Sequence, residues 1–232
     1  MSMAQAALTS ALLRVVSKHA PPDTAKWFAG GVPRAGVSQP RSLFFGYFAG
    51  IGRRLRGASF ELGGSELGSL RALGLPAPER WSLADLARAA LLLAACAQLP
   101  SGEHVPLAKE LYEKGDNAER VAVLRTLHLL PEPQRFRPVA EDACRVHVLD
   151  VFTAIACDNP YPAQCFSEAS YNQMVVKALF LEVPLARVLG VAERKNQELY
   201  RMARDYEAER RAAGRVVTRD TNFVAHELEK TA

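Results

Sequence analysis

A chain of 232 residues, 49% hydrophobic and 23% charged, has the make-up of an ordinary globular protein and is long enough to bury a core of its own. This sets aside disorder except at the ends. The formal net charge of +4 is mild, and the basic clusters are short: Arg53, Arg54 and Arg56, then Arg210, Arg211 and Arg215 interleaved with Glu207 and Glu209. No long basic face of the nucleic-acid-binding kind results, so nucleic acid is not expected as a partner.

Cys96, Cys144, Cys157 and Cys165 form no CxxC pair, and no histidine stands beside them at metal-ligand spacing. Three of them lie in apolar stretches, where a thiol behaves as a small hydrophobe. Reduced thiols, no metal and no cofactor are expected. The N-terminal stretch lacks the basic start and long apolar run of a signal peptide. The alanine-rich run over 86–99 is too short to span a bilayer. A cytoplasmic location is expected.

In chain order, Leu8, Leu12, Val15 and Val16 predict a helix over 4–19, stopped by Pro21 and Pro22. A short helix with Trp27 and Phe28 follows and ends at Gly30 and Gly31. Residues 30–80 hold many glycines and several prolines and read as the least regular part. Within them, the aromatic run 43–48 reads as strand or buried helical turn, followed by Arg53, Arg54 and Arg56. Ser82, with Asp85 three residues on, opens a central apolar helix over 83–99. Pro100 and Gly102 break it, and 105–113 forms a short helix. Asp116 with Glu119 caps the next one, closed by Pro131 and Pro133. A long helix is expected over 138–157, then an elbow at 157–162. Helices over 167–181 and 184–189 follow, with Gly190 past the end of the second. A last helix over 193–213 stops at Gly214, and the tail after Val217 reads as weakly ordered. The expected fold is all-α, built of antiparallel helix pairs as a compact α-solenoid-like or irregular helical bundle. It spans 1–217 as a single domain, with a weakly ordered tail at 218–232.

Arg194, Glu198, Arg201, Asp205 and Glu209 recur in steps of four and three, so they form one polar stripe if a single helix carries them. Such a stripe is either a solvated face of weak ion pairs or the wall of a cavity. In the second case Arg201 would clamp an anion and Asp205 with Glu209 would act as acid and base. Asn172 sits in an otherwise apolar helix and needs a polar partner, for which the stripe is the candidate. The ligand-binding candidates are therefore Asn172, Arg194, Arg201, Asp205 and Glu209. Tyr47, Arg53, Arg54 and Arg56 are candidates for docking a partner, because aromatics and arginines are enriched at interfaces. No catalytic loop or nucleophile motif is present in the sequence.

From Asp158 to Arg215, about a quarter of the chain, the sequence resembles the EboA-domain family. The residues that carry the resemblance are NPYP at 159–162, YNQMVVKALF at 171–180, Pro184-Leu185, Arg194, Asn196, Arg201-Met202, Asp205-Tyr206, Glu209-Arg210 and AAGR at 212–215. Fainter likeness lies in the aromatic-basic segment 43–54 and at Trp81-Ser82. Two positions depart from the pattern. The 181–183 turn lacks the glycine expected between Phe180 and Pro184, and Tyr171 stands where Trp or Phe is more frequent. The resemblance implies a bacterial protein of secondary metabolism, encoded in an ebo cluster. Its neighbours there are a UbiA-like membrane prenyltransferase, a dehydroquinate-synthase-like cyclase, a TatD-like hydrolase, a sugar-isomerase-like barrel protein and a phosphodiesterase-like protein. It also implies metabolite traffic toward the periplasm, with those proteins and a small-molecule metabolite as partners. A place on the inner-membrane surface, beside the prenyltransferase, is compatible with it. The expected function is a non-catalytic helical adaptor or binding protein. The alternative is an enzyme of cyclitol, sugar-phosphate or prenyl metabolism that uses Asp205, Glu209 and Arg201.

Overall fold

The computed structural model describes residues 2–31, 41–55, 57 and 60–226, and over these the protein is all-α. The described chain forms two compact units, Met1–Ala154 and Ile155–Ala232.

Helix α5 (Leu83–Gln98) is the axis of the first unit. Thirteen of its sixteen residues are buried, so it has neighbours on every side. Its small residues Ala87, Ala89, Ala90, Ala94 and Ala95 allow close approach, while each buried leucine contributes about 1.5–3 kcal/mol. Ser82 and Asp85 close the expected capping box at 3.1 Å in both directions. Four helices pack on α5: α1 (Met3–His19), α3 (Arg41–Arg54), α6 (Ser101–Lys114) and α7 (Asn117–Thr126). Around these lie α2 (Pro22–Gly31), α4 (Gly64–Ala72) and α8 (Arg137–Arg145).

The segment 30–80 is more regular than its composition suggests. It contributes α3, α4 and a 3₁₀ turn at Pro78–Arg80. In α3 the buried Phe44, Phe48 and Ile51 follow helical spacing. Two of the three glycines of α3 serve close packing instead of turning the chain. A Cβ on Gly50 would lie 3.0 Å from the Trp27 ring, and one on Gly52 would lie 2.6 Å from Arg88 Nη2. Helix α6 likewise starts earlier than expected and takes in Gly102 and Pro106. Pro106 gives up only one backbone bond near the helix start.

Two long helices expected from the sequence are each broken. The span 138–157 becomes α8 and α9 (Leu149–Ala156), because Val146 is extended and the Val-His-Val run favours helix poorly. The span 193–213 becomes α12 (Val191–Arg194) and α13 (Gln197–Ala212). Asn196 is extended there and caps α13 by accepting from Leu199 N at 2.8 Å.

The second unit adds α10 (Tyr161–Cys165), α11 (Glu168–Phe180) and α14 (Arg219–His226). Helix α14 occupies part of the stretch read as a weakly ordered tail. It packs on α13 through Thr221, Val224 and Ala225. Among the described residues, no helix is long and apolar enough to cross a membrane.

Candidate functional site

The polar residues of the C-terminal motif meet inside the second unit, and they satisfy one another. The amide of Asn172, 1% exposed, exchanges two hydrogen bonds with Asn196 at 3.0 and 3.1 Å. Arg194 turns its guanidinium onto the carbonyls of Pro162, Ala163 and Phe166 at 2.8, 2.9 and 3.0 Å. These carbonyls lie at and near the end of α10, where a cation suits the helix best; that of Pro162 also accepts from Phe166 N at 3.1 Å. The same guanidinium lies 4.3 Å from the centre of the Tyr171 ring. Burial pushes the Tyr171 phenol up to about 12, and its hydroxyl donates to Leu189 O at 2.7 Å. At the elbow, Asn159 Oδ1 accepts from Tyr161 N at 3.0 Å. Asp158 accepts from Arg187 at 2.6 and 2.9 Å. Gly190 has φ +83, and a Cβ there would sit 2.9 Å from that of Ala163. Only glycine fits both demands. The motif is therefore a lock between α10, α11 and α13.

The expected stripe is not one stripe. Arg194 belongs to α12 and faces inward, while Glu198, Arg201, Asp205 and Glu209 are exposed on α13. Arg201 bonds Glu198 at 2.6 and 2.9 Å and Asp205 at 2.8 Å, with its side chain 62% exposed. Asn172 is not in this group, so the enclosed Asn172–Arg201–Asp205 cluster expected from the sequence does not form. The reason is register. Leu199, Ala203, Tyr206 and Arg210 are the inward face of α13, which leaves Arg201 and Asp205 outward. With Glu168, Gln197, Tyr200 and Arg204 they line an open surface depression. The charges that do face inward, Glu207 and Arg210, belong to the mixed-charge cluster of the sequence and not to the stripe. Glu207, 4% exposed, meets Arg211 at 2.6 Å and His226 at 3.0 Å.

In the first unit the aromatic-basic segment has two faces. Phe44, Phe48 and Ile51 are core. Outward, Tyr47 stacks on Trp27 with ring centres 4.9 Å apart and planes at 29°. Arg54 lies 4.5 Å over the other partner of that stack, Trp27. Arg53 and Arg54 are exposed, and Arg56 lies outside the described residues. Behind this face, Arg88 is 2% exposed, donates from Nε to Phe48 O at 3.2 Å and stands 3.8 Å from Glu119. Burial lowers the Arg88 pKa and raises that of Glu119, where Asp116 adds to the rise. Sequence reasoning missed this node because a lone arginine inside an alanine-leucine helix looks like a snorkelling surface residue.

The cysteines are packed in the interior, with Cys96, Cys157 and Cys165 buried and Cys144 half-buried. Burial pushes the Cys96 thiol up to about 12.

The family model described as metabolite traffic protein EboA matches residues 8–224. None of the curated proteins and no solved structure matches. The match takes in both compact units and reaches far beyond the C-terminal motif, and on that ground the chain belongs to the EboA family.

Proposed function

We propose that this protein acts in metabolite traffic as a non-catalytic helical adaptor, docking a partner protein through the Trp27, Tyr47, Arg53 and Arg54 face. The observation that carries the reading is the outward stack of Arg54, Trp27 and Tyr47. Trp, Tyr and Arg are the residues that dominate binding hot spots. The stack is already ordered on two packed helices, so little side-chain freedom remains to be lost on binding. Further support comes from the second unit. Its motif side chains Asn172, Arg194 and Asn196 are engaged with one another and with backbone carbonyls. Asp205 and Glu209, the acid-base candidates of the enzyme reading, stand in solvent. An enclosed, dry site is what makes such groups effective catalysts.

In this reading the partners are other products of an ebo-type cluster, including its UbiA-like membrane prenyltransferase, and the cargo moves toward the periplasm. The test is affinity capture of cluster proteins by the wild-type chain and by Trp27→Ala with Arg54→Ser. Selective loss of one captured cluster protein, with unchanged melting, supports the docking face. Full retention would remove it. Mass spectrometry of the denatured, purified protein examines the enzyme reading: a stoichiometric small molecule that is lost in Asp205→Ala would revive it.

A further inference from the structure

The corner between α13 and α14 has features that the adaptor reading does not use. From Arg210 to Arg219 the sequence is RRAAGRVVTR, four arginines with no acid between them. At the same corner Val216 is 80% exposed and Phe180 is 60% exposed. Arg210 ties these two to one place. Its guanidinium donates to Val216 O at 2.8 Å, to Glu182 Oε1 at 2.9 Å and to Tyr206 Oη at 3.0 Å. The Tyr206 ring in turn stands 6.4 Å from that of Phe180. Gly214, at φ +66, turns the chain off α13, and Arg215 N bonds back to Arg210 O at 2.8 Å.

The four arginines divide into two kinds. Arg210 is buried in this clip, and Arg211 pairs with Glu207. Arg215 and Arg219 are exposed and have no side-chain partner among the described residues. The corner therefore presents two projecting apolar side chains beside two unneutralised guanidinium groups.

We propose that this corner docks on an anionic phospholipid surface, with Val216 and Phe180 entering the headgroup layer and Arg215 and Arg219 meeting lipid phosphates. The charge is complementary to such a surface, and arginine matches phosphate through its planar fork. Apolar side chains at the headgroup boundary add burial to that attraction. An acidic peptide fits less well, because a peptide is held by a groove and these side chains project. The surface belongs to the second unit and involves none of the residues of the adaptor face.

The experiment is co-sedimentation of the full chain with vesicles of phosphatidylcholine alone, or of phosphatidylcholine mixed with phosphatidylglycerol. Binding to the mixed vesicles only, weakened by added salt, is expected. Arg215→Ser with Arg219→Ser should lower the affinity about thirtyfold, from about 1 kcal/mol for each cation near the surface. Val216→Ser with Phe180→Ser should lower it further. Both pairs lie on the surface, and circular dichroism should confirm intact helices. No sedimentation with the mixed vesicles, equal sedimentation with both kinds, or undiminished binding by either variant pair would overturn the proposal. So would loss of binding by Arg53→Ser with Arg54→Ser alone, which would put the lipid contact on the first unit. Capture of cluster proteins is read separately, so failure here leaves the adaptor face untouched.

Discussion

Asn172 and Asn196 lie head to tail, each amide nitrogen donating to the other's Oδ1, at 3.0 and 3.1 Å. Two neutral amides thus join α11 to the start of α13. Asn196 does double duty, because the Oδ1 that receives Asn172 also caps α13 at Leu199 N.

Asn172→Ala should destabilise the protein by about 1–3 kcal/mol, since both hydrogen bonds across the seam are lost while Asn196 keeps only those to Arg194 O and Leu199 N. Asn196→Ala should cost more, because a helix cap worth about 0.5–2 kcal/mol goes with it. The double variant should cost less than the sum. Urea denaturation followed by circular dichroism measures all three, and an unchanged midpoint for Asn172→Ala would show that the pair does not hold the seam.

Arg201→Ala and Asp205→Ala should leave the urea midpoint unchanged within error. Both side chains are more than 60% exposed, and exposed ion pairs contribute little. A marked fall in the midpoint for either variant would mean that this face is covered in solution.

Gly52→Ala should destabilise the first unit by about 1–3 kcal/mol, because the new methyl group meets the buried Arg88 guanidinium at 2.6 Å. Arg88→Met gives a contrasting case. It removes the charge and keeps the bulk, but leaves the largely buried Glu119 without its cation, so it should cost stability on its own. Combining the two should cost less than the sum of the single changes, as Met can move aside from the new methyl group. Equal melting of Gly52→Ala and wild type would contradict the contact.

Glu66 should contribute to the acid limb of stability. The hydrogen bond from Lys18, the backbone N–H of Gly63 and the nearby His19 lower its pKa from 4.5 to about 2. A carboxyl lowered on folding supports the fold above its unfolded pKa, and that support is lost as pH falls from 4.5 toward 2. Glu66→Gln should flatten the stability profile in that window and leave its slope above pH 5 unchanged. A profile that keeps its full slope through the window would assign the acid limb to other groups.

Helices were legible in the sequence where apolar spacing and caps agreed, as at Ser82 with Leu83–Gln98 and at Asp116 with Asn117–Thr126. They were not legible where glycine has a packing role. Gly50 and Gly52 look like breakers until Trp27 and Arg88 are seen pressed against them. The Asn196 break was hidden for a related reason, because a polar residue in a charged stretch looks like solvated surface until its buried partner is known. That break moved Arg194 off the stripe, while the register of α13 turned Arg201 and Asp205 away from Asn172. The missing glycine after Phe180 has a structural counterpart. Glu182 takes φ +55, a conformation that glycine adopts without strain, and its carboxylate is held by Arg210. Such long-range partners have no local signature.

The chain has two tryptophans, and each lies beneath an arginine, Trp27 beneath Arg54 and Trp81 beneath Arg125 at 5.8 Å. Trp81 is 5% exposed and its indole N–H is engaged by Pro76 O at 3.2 Å, whereas Trp27 is half-buried at the adaptor face. Ultraviolet emission from the unlabelled protein therefore has a steady interior component and one component that senses water at the docking stack. A partner seated there would shift the second toward shorter wavelength and leave the first alone, so the molecule carries its own optical gauge of occupancy.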